Sequence, residues 1–482
     1  MPYDKYETVI GLEVHVQLNT ASKAFCGDST LFGAEPNTQV SPISLGHPGT
    51  LPFVNEQQIA HAVKLGTALG CEINPHSSFD RKNYFYADLP KGYQITQDRS
   101  PICIGGDLKI KLGEEFKSVR IHHIHMEEDA GKSIHDNPGP YSLIDLNRAG
   151  VPLLEVVTEP DLRSAEEVDA FMSGMRQLVR WLDVSDGNME QGSMRCDVNV
   201  SVRIKGAEEY GTRCEIKNVN SMRYAKRAIA YEVIRQIGIV EKGGKIIQQT
   251  LNFDPDTGIT TPLRDKEDAH DYRYFPEPDL PPVVLTSAYI QAVKDQMGKL
   301  PWELYQNFTE QLGLSDYDAS LLTEDIEVAK YFLGLQHLSQ QTKAAANLII
   351  NKIIPLCKEK GWGPFDLPIK PENLVAFIDM IRTGKVSNAM AYQRVFPEMV
   401  TQPDKAPLEI AKQLNLLQTS DSTFLETLID QIIADNPDKV KVYRNGKKGL
   451  LGFFMGELMK KSKGKADPKA SNKLLRDKLE SD

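Results

Sequence analysis

Glu7-Thr8-Val9-Ile10-Gly11-Leu12-Glu13-Val14-His15-Val16 is the run on which the fold reading turns. Residues alternate between two characters from Leu12 onward, as they do along a half-buried strand. Period two places Leu12, Val14 and Val16 on one face and Glu13 and His15 on the other. Cys196-Asp197-Val198-Asn199-Val200-Ser201-Val202-Arg203 repeats the pattern, with Asp197 and Asn199 opposite three valines. Helical spacing occurs over Ile59 to Leu69, Ala165 to Leu182 and Ser221 to Val240, too irregularly placed to separate successive strands. A doubly wound parallel sheet is therefore a poor fit, and an antiparallel α+β domain is expected.

The texture changes after Pro276-Glu277-Pro278-Asp279-Leu280-Pro281-Pro282, which breaks regular structure. From Ser287 to Thr401 apolar residues recur three and four apart, as in Ala344 to Leu356 and Leu374 to Ile381, and helices are expected. Gln402-Pro403-Asp404 reads as a linker, followed by two or three amphipathic helices punctuated by Asn445-Gly446 and Ser462-Lys463-Gly464. The expected domains are 1–286, 287–403 and 404–482.

Composition narrows the functional classes. The 482 residues are 41% hydrophobic and 25% charged, ordinary for a globular protein with several cores. No apolar run approaches the ~20 residues that span a bilayer. The N-terminus lacks a secretory pattern, so a cytoplasmic location is expected and no membrane partner. Six scattered cysteines, with no C-x-x-C pair, read as isolated core thiols. The net charge is −10, yet Lys439 to Lys478 holds thirteen Lys or Arg against three Asp or Glu. A basic tail on an acidic body is either a solvated helix surface or a contact for a polyanion. There is no G-x-x-x-x-G-K-[ST] loop and no dinucleotide fingerprint, so any use of ATP needs another fold.

Several residues can carry chemistry. Glu13 beside His15 is either an exposed pair or part of a metal site. Ile121-His122-His123-Ile124-His125-Met126-Glu127-Glu128-Asp129 packs three imidazoles and three carboxylates into eight residues. Crowded carboxylates repel unless a cation or open solvent relieves them, and carboxylate-rich sites suit magnesium. A zinc hydrolase built on this cluster is an alternative, although the helical H-E-x-x-H spacing is absent. Glu155 interrupts the apolar run Pro152 to Val157 and needs a partner if buried. Arg81 and Lys82 precede Tyr84-Phe85-Tyr86 and suit either phosphate capture or a surface turn, as does Lys132.

Together these motifs resemble the B subunits of aspartyl/glutamyl-tRNA amidotransferases. The resemblance rests on Val9 to Val16, Phe79-Asp80-Arg81-Lys82-Asn83-Tyr84-Phe85-Tyr86 and His125 to Lys132. It continues through Asp145-Leu146-Asn147-Arg148-Ala149-Gly150-Val151-Pro152-Leu153, Gly192 to Asn199 and Asp271 to Asp279, and reaches the tail run Gly449 to Pro468. It implies a glutamine synthetase/guanido kinase-like first domain, a helical domain and a small helical tail that grips tRNA. It implies that ATP phosphorylates the side-chain carboxylate of a mischarged Glu-tRNA(Gln) or Asp-tRNA(Asn). Ammonia from a glutaminase A subunit then completes the amide, and a C subunit holds the assembly. By the same resemblance His15, Glu128, Glu155 and Asp197 surround Mg2+ with Glu13 nearby, while Arg81, Lys82 and Arg195 face phosphate. The rival classes are a non-catalytic tRNA-docking scaffold and a metal-dependent hydrolase.

Overall fold

A computed structural model describes residues 4–113, 115–134, 141–217, 219, 221–265, 272–418, 422–462 and 465–480. Asp271, Lys463 and Gly464, which belong to motifs named above, lie outside the described residues. The chain forms two compact units, Met1–Leu300 and Pro301–Asp482.

The first unit is built on a sheet of ten strands among the described residues. Its centre is β1 (Tyr6–Gln17), β2 (Glu115–Glu128), β3 (Pro152–Thr158), β4 (Met194–Ile204) and β5 (Cys214–Lys217), in the spatial order β5-β4-β1-β3-β2. These five strands are antiparallel neighbours. The edge adds one parallel pair, β5 with β6 (Gln249–Asp254), and the antiparallel β7 (Ile259–Asp265). The antiparallel expectation therefore holds for the centre and fails only at that edge step.

Alternation gives this sheet two chemically distinct faces. Ile10, Leu12, Val14 and Val16 are buried to 1% exposure or less, as are Val198, Val200 and Val156. Each such side chain contributes roughly 1.5–3 kcal/mol on burial. Helices α1 (Glu56–Ala68), α2 (Ala165–Trp181) and α3 (Met222–Glu241) pack against the sheet. Their starts are fixed by side-chain caps: Asn55 accepts from Gln57 and Gln58 N–H, Ser164 from Glu167 N–H and Ser221 from Tyr224 N–H. Each cap is worth about 1 kcal/mol. The helix Ser287–Asp295 packs on α1 and counts with this unit, whereas the sequence places the change of texture at residue 286.

In the second unit every regular element described is helical. The run Ala344 to Leu356 forms helix, a π turn at Ile349–Ile353 and helix again. The last four α-helices, from Ser422–Asp435 to Pro468–Glu480, enclose their own apolar cluster of Leu425, Ile429, Ile432, Phe454, Leu458, Leu475 and Leu479. No described helix is long and apolar enough to cross a membrane. Five of the six cysteines are buried and Cys71 is partly so; all are free thiols, as expected.

Candidate functional site

Register converts the polar positions of five strands into one row. Glu13 of β1 stands opposite Asp197 of β4, and His15 stands between Arg195 of β4 and Glu155 of β3. Glu155 in turn faces His125 of β2, while Asn199 faces Glu215 of β5. A strand face that alternates with a core of valines thus becomes a continuous ionisable surface.

Two groups along this row bring three ligand atoms within 4.8 Å of one another: His15, Glu127 and Glu155, and Glu13, Asp197 and Glu215. In the first, His15 Nε2 lies 3.2 Å from Glu155 Oε2 and 3.8 Å from Glu127 Oε1. His125 closes the other side, 3.4 Å from Glu155 and 3.6 Å from Glu127. Burial works against protonation of both imidazoles, but the Glu155 and Glu127 carboxylates outweigh it. His15 is raised to about 9 and His125 to about 10. Glu155 is buried too, yet the two imidazoles hold it well below the usual carboxylate range.

The second group is dominated by negative charge. Burial, then Glu155 and Glu215, push the Glu13 carboxyl upward, against a hydrogen bond that Asn199 Nδ2 donates to it at 3.0 Å. Lys217 Nζ lies 2.7 Å from Asp197 and 3.0 Å from Glu215, and Thr250 donates to Glu215 at 2.8 Å. Two of the three carboxylates share Lys217, which leaves a hard-oxygen group with excess negative charge that a divalent cation would neutralise. The residues present fit magnesium on that ground.

These groups border a hollow of about 290 Å³ lined by His15, Glu155, Arg195, Asp197 and Lys217 on the sheet side. Lys82, Tyr84 and Gln94 line it from the other side. At its floor Arg195 Nη2 donates to both oxygens of Asp129 at 2.9 Å, and Gln17 donates to Asp129 at 2.7 Å. Burial would raise the Asp129 carboxyl, but Arg195 and Arg148 hold it below its ordinary value. Arg195 is thus pinned in place with its charge half-used.

The structure separates residues that the sequence reading puts together. Glu128 does not join the ion groups. Its carboxylate accepts from the Ile95 N–H at 2.9 Å and pairs with Lys91, and it lines a second cavity of about 240 Å³. The reason is the two-residue period: Glu127 follows His125 onto the row, so Glu128 turns the other way. Arg81 goes with Glu128 for the same reason. It sits in a short strand, Asp80–Asn83, that pairs with Tyr93–Thr96. Arg81, Tyr93 and Ile95 face the second cavity, while Lys82 and Gln94 face the hollow. These two strands are a partition. Arg81 is also occupied, donating to Glu277 at 2.6 and 2.8 Å and to Asp279 at 2.9 Å. Both acids are too distant in sequence to anticipate as its partners, and they argue against a phosphate-side role. His15, Glu155, Asp197, Arg195 and Lys82 do converge, with Glu13 in the adjacent group. The site set that the resemblance implies omits Glu127 and Asp129, which the sequence shows only as members of the His122 to Asp129 cluster, and Glu215 and Lys217 are not singled out at all.

The three adjacent histidines do not converge on one point. A register shift between Val157 and Thr158 leaves His122 as an extra residue in β2, on the side of His123. His122 Nδ1 lies 2.7 Å from His123 Nδ1, and His123 Nε2 lies 3.1 Å from His125 Nδ1. Burial and the two flanking imidazoles push His123 down to about 4. A file of rings gives no tetrahedral ligand set, so His122, His123 and His125 do not form a zinc site by themselves.

Two glycines of the motifs have steric reasons. A Cβ at Gly131 would lie 2.9 Å from Asp145 O and 3.0 Å from Asp88 O. Gly150 has φ +88° and passes beside Lys23 and Glu128.

The chain matches known proteins along most of its length. Residues 8–291 match the model described as the GatB/GatE catalytic domain, and residues 330–479 match the GatB domain. The chain is 48% identical to a protein of Salinibacter ruber, covering 100% of this chain and 98% of the relative. It is also 48% identical to proteins of Geotalea daltonii and Myxococcus xanthus, each match covering 99% of this chain and 100% of the relative. All three bear the name of the B subunit of an aspartyl/glutamyl-tRNA(Asn/Gln) amidotransferase.

Proposed function

The chain belongs to the family of tRNA-dependent amidotransferase B subunits, and from that premise we propose that its acidic sheet face is where the side-chain carboxylate of a mischarged tRNA is phosphorylated and amidated. The observation that supports this most is the convergence of His15, Glu127 and Glu155 beside Glu13, Asp197 and Glu215 on a single strand row.

An amide cannot form directly from a carboxylate, because oxide is a very poor leaving group. Attack of a carboxylate oxygen on the γ-phosphorus of ATP, with ADP leaving, yields an acyl phosphate. Ammonia then adds to its carbonyl carbon, inorganic phosphate departs, and the nitrogen loses a proton. Phosphoryl transfer asks for in-line placement and neutralisation of spreading negative charge. Arg195, held by Asp129, and Lys82 and Lys217 bring positive charge to the hollow. The two carboxylate groups are the residues that would hold magnesium, with Glu127 in the place that the sequence reading gives to Glu128. Mg2+ bound there would supply charge neutralisation to the phosphates.

The antiparallel sheet backed by helices is consistent with a glutamine synthetase/guanido kinase-like fold. The separate apolar cluster of the last four α-helices supports a tail domain inside 404–482, while the helix Pro407–Gln413 packs on the helices before it and Ser287–Asp295 counts with the first unit. Mischarged tRNA is the substrate, the A and C subunits the partners, and the cytoplasm the compartment that this reading implies. The cavity behind the partition, with Lys91 and Glu128 in its wall, gives ammonia from the A subunit a place to arrive without crossing the phosphate-binding side.

The test uses the assembled enzyme with ATP and each mischarged tRNA. Glu155→Gln should abolish ATP cleavage driven by mischarged tRNA and leave tRNA binding intact. Undiminished cleavage would instead support a docking scaffold, and turnover without ATP would support a hydrolase.

A further inference from the structure

The rim of the hollow carries a row of aromatic rings that the chemistry above does not use. Tyr84, which lines the hollow, lies 5.7 Å from Tyr86 and 6.1 Å from Tyr272 between ring centroids, and Tyr272 lies 6.0 Å from Tyr274. Four rings in file are joined by two backbone segments. Asn83 N–H donates to Tyr272 O at 2.9 Å, and its side-chain amide donates to Arg273 O at the same distance. Lys82 Nζ sits 4.9 Å from the Tyr272 centroid and 5.7 Å from that of Tyr84. Outward from the hollow, Tyr86 is 58% and Phe85 88% exposed. Leaving such rings in water is unusual when a core is available.

We propose that Tyr84, Tyr86, Tyr272 and Tyr274, with Lys82, form a stacking platform for the unpaired 3′-terminal nucleotides of the substrate tRNA. The inference rests on the function proposed above. It commits to single-stranded RNA for three reasons. The row meets the hollow at Tyr84 and reaches solvent at Tyr86, as the path of a chain whose last unit must enter the hollow would. Its length matches several successive bases, whereas a single adenine would occupy one or two rings. A lysine interleaved with the rings complements the phosphates between bases, the combination that holds single strands without reading their sequence.

The experiment uses the assembled enzyme and a deacylated tRNA with 2-aminopurine in place of its terminal adenine. Stacking should quench the probe on binding. Tyr86→Ala and Tyr272→Ala should each relieve the quench and weaken binding roughly tenfold. Tyr86→Phe, which keeps the ring, should behave as wild type. The penalties should vanish with a tRNA lacking its unpaired 3′ nucleotides. Wild-type affinity and quenching in both alanine variants would overturn the platform, as would a penalty that persists with the truncated tRNA. Loss of the partner subunits from the alanine variants on gel filtration would also overturn it, by making the surface a protein contact. Glu155→Gln separates the two readings. If it loses ATP cleavage while the ring variants bind normally, the platform alone fails. If it retains cleavage, the phosphorylation site fails whatever the rings do.

Discussion

The hollow and the cavity behind the partition are walled by the same two stretches of chain, yet they are chemically opposite. On one side Glu127 and Lys82 join a row of carboxylates, imidazoles and one pinned arginine. On the other, their immediate neighbours Glu128 and Arg81 are neutralised, Glu128 by Lys91 and the Ile95 N–H, Arg81 by Glu277 and Asp279. The difference teaches that strand alternation can give two adjacent residues of one type two unrelated tasks. An ion site needs charge left over, and the Glu13, Asp197 and Glu215 group on the first side retains it.

The largest expected effect breaks that comparison most directly. Glu127→Gln should reduce ATP cleavage driven by mischarged tRNA by about a hundredfold or more, the scale of losing a group that acts on transition-state charge. Glu128→Gln should leave that cleavage within a few-fold while lowering the amide formed per glutamine hydrolysed. Steady-state phosphate release and product tRNA analysis check both. Equal losses of cleavage would erase the distinction between the two sides.

Next in size is the release of Lys217. Lys217→Met leaves Asp197 and Glu215 without their shared cation, and should lower the magnesium concentration needed for half-maximal activity by about tenfold, because the carboxylates then hold the ion without a competing ammonium. Enzyme assays across magnesium concentrations would show it, and an unchanged requirement would separate Lys217 from the ion site.

A pH effect follows from the imidazoles. His15 at about 9 and His125 at about 10 both stand above the ordinary 6.5, so they take up protons on folding. Their contribution to stability is complete below about pH 6.5 and is lost as pH rises through 9 and 10. Chelator-treated protein should therefore lose thermal stability across that window, and Glu155→Gln should flatten the loss. A loss equally steep in the variant would contradict the pairing.

The smallest effect is expected at the far end of the chain. Lys461 and Lys478 pair with Asp435 and Asp430 in settings a third exposed or more on at least one partner. Lys461→Ala should change thermal stability little, as exposed pairs usually do. It should nonetheless shallow the salt dependence of tRNA binding if the tail meets phosphate.

Much of the site is legible in the sequence because it depends on local period. Alternation correctly places Glu13 with His15, and Asp197 with Asn199, on single faces. What alternation cannot supply is register between distant strands. That Glu13 stands opposite Asp197, and His15 opposite Glu155, is settled by pairing of segments more than a hundred residues apart. The misplacement of Glu128 is avoidable in principle, since counting by twos from His125 reaches Glu127. Glu215 and Lys217 are invisible because a four-residue strand offers too few positions for a period to show. Arg81 reads as an available cation because its partners lie nearly two hundred residues away. The helical character of the second unit is readable, its apolar spacing being local, although five α-helices follow Gln402-Pro403-Asp404 among the described residues where two or three are expected.

Binding of Mn2+, a paramagnetic stand-in for magnesium, to the wild-type, Glu127→Gln and Glu128→Gln proteins tests the acidic row without intermediaries. The expected result is binding weakened at least tenfold in Glu127→Gln and unchanged in Glu128→Gln. Unaltered Mn2+ affinity in Glu127→Gln, or a loss confined to Glu128→Gln, would contradict the assignment of the ion to this face of the sheet.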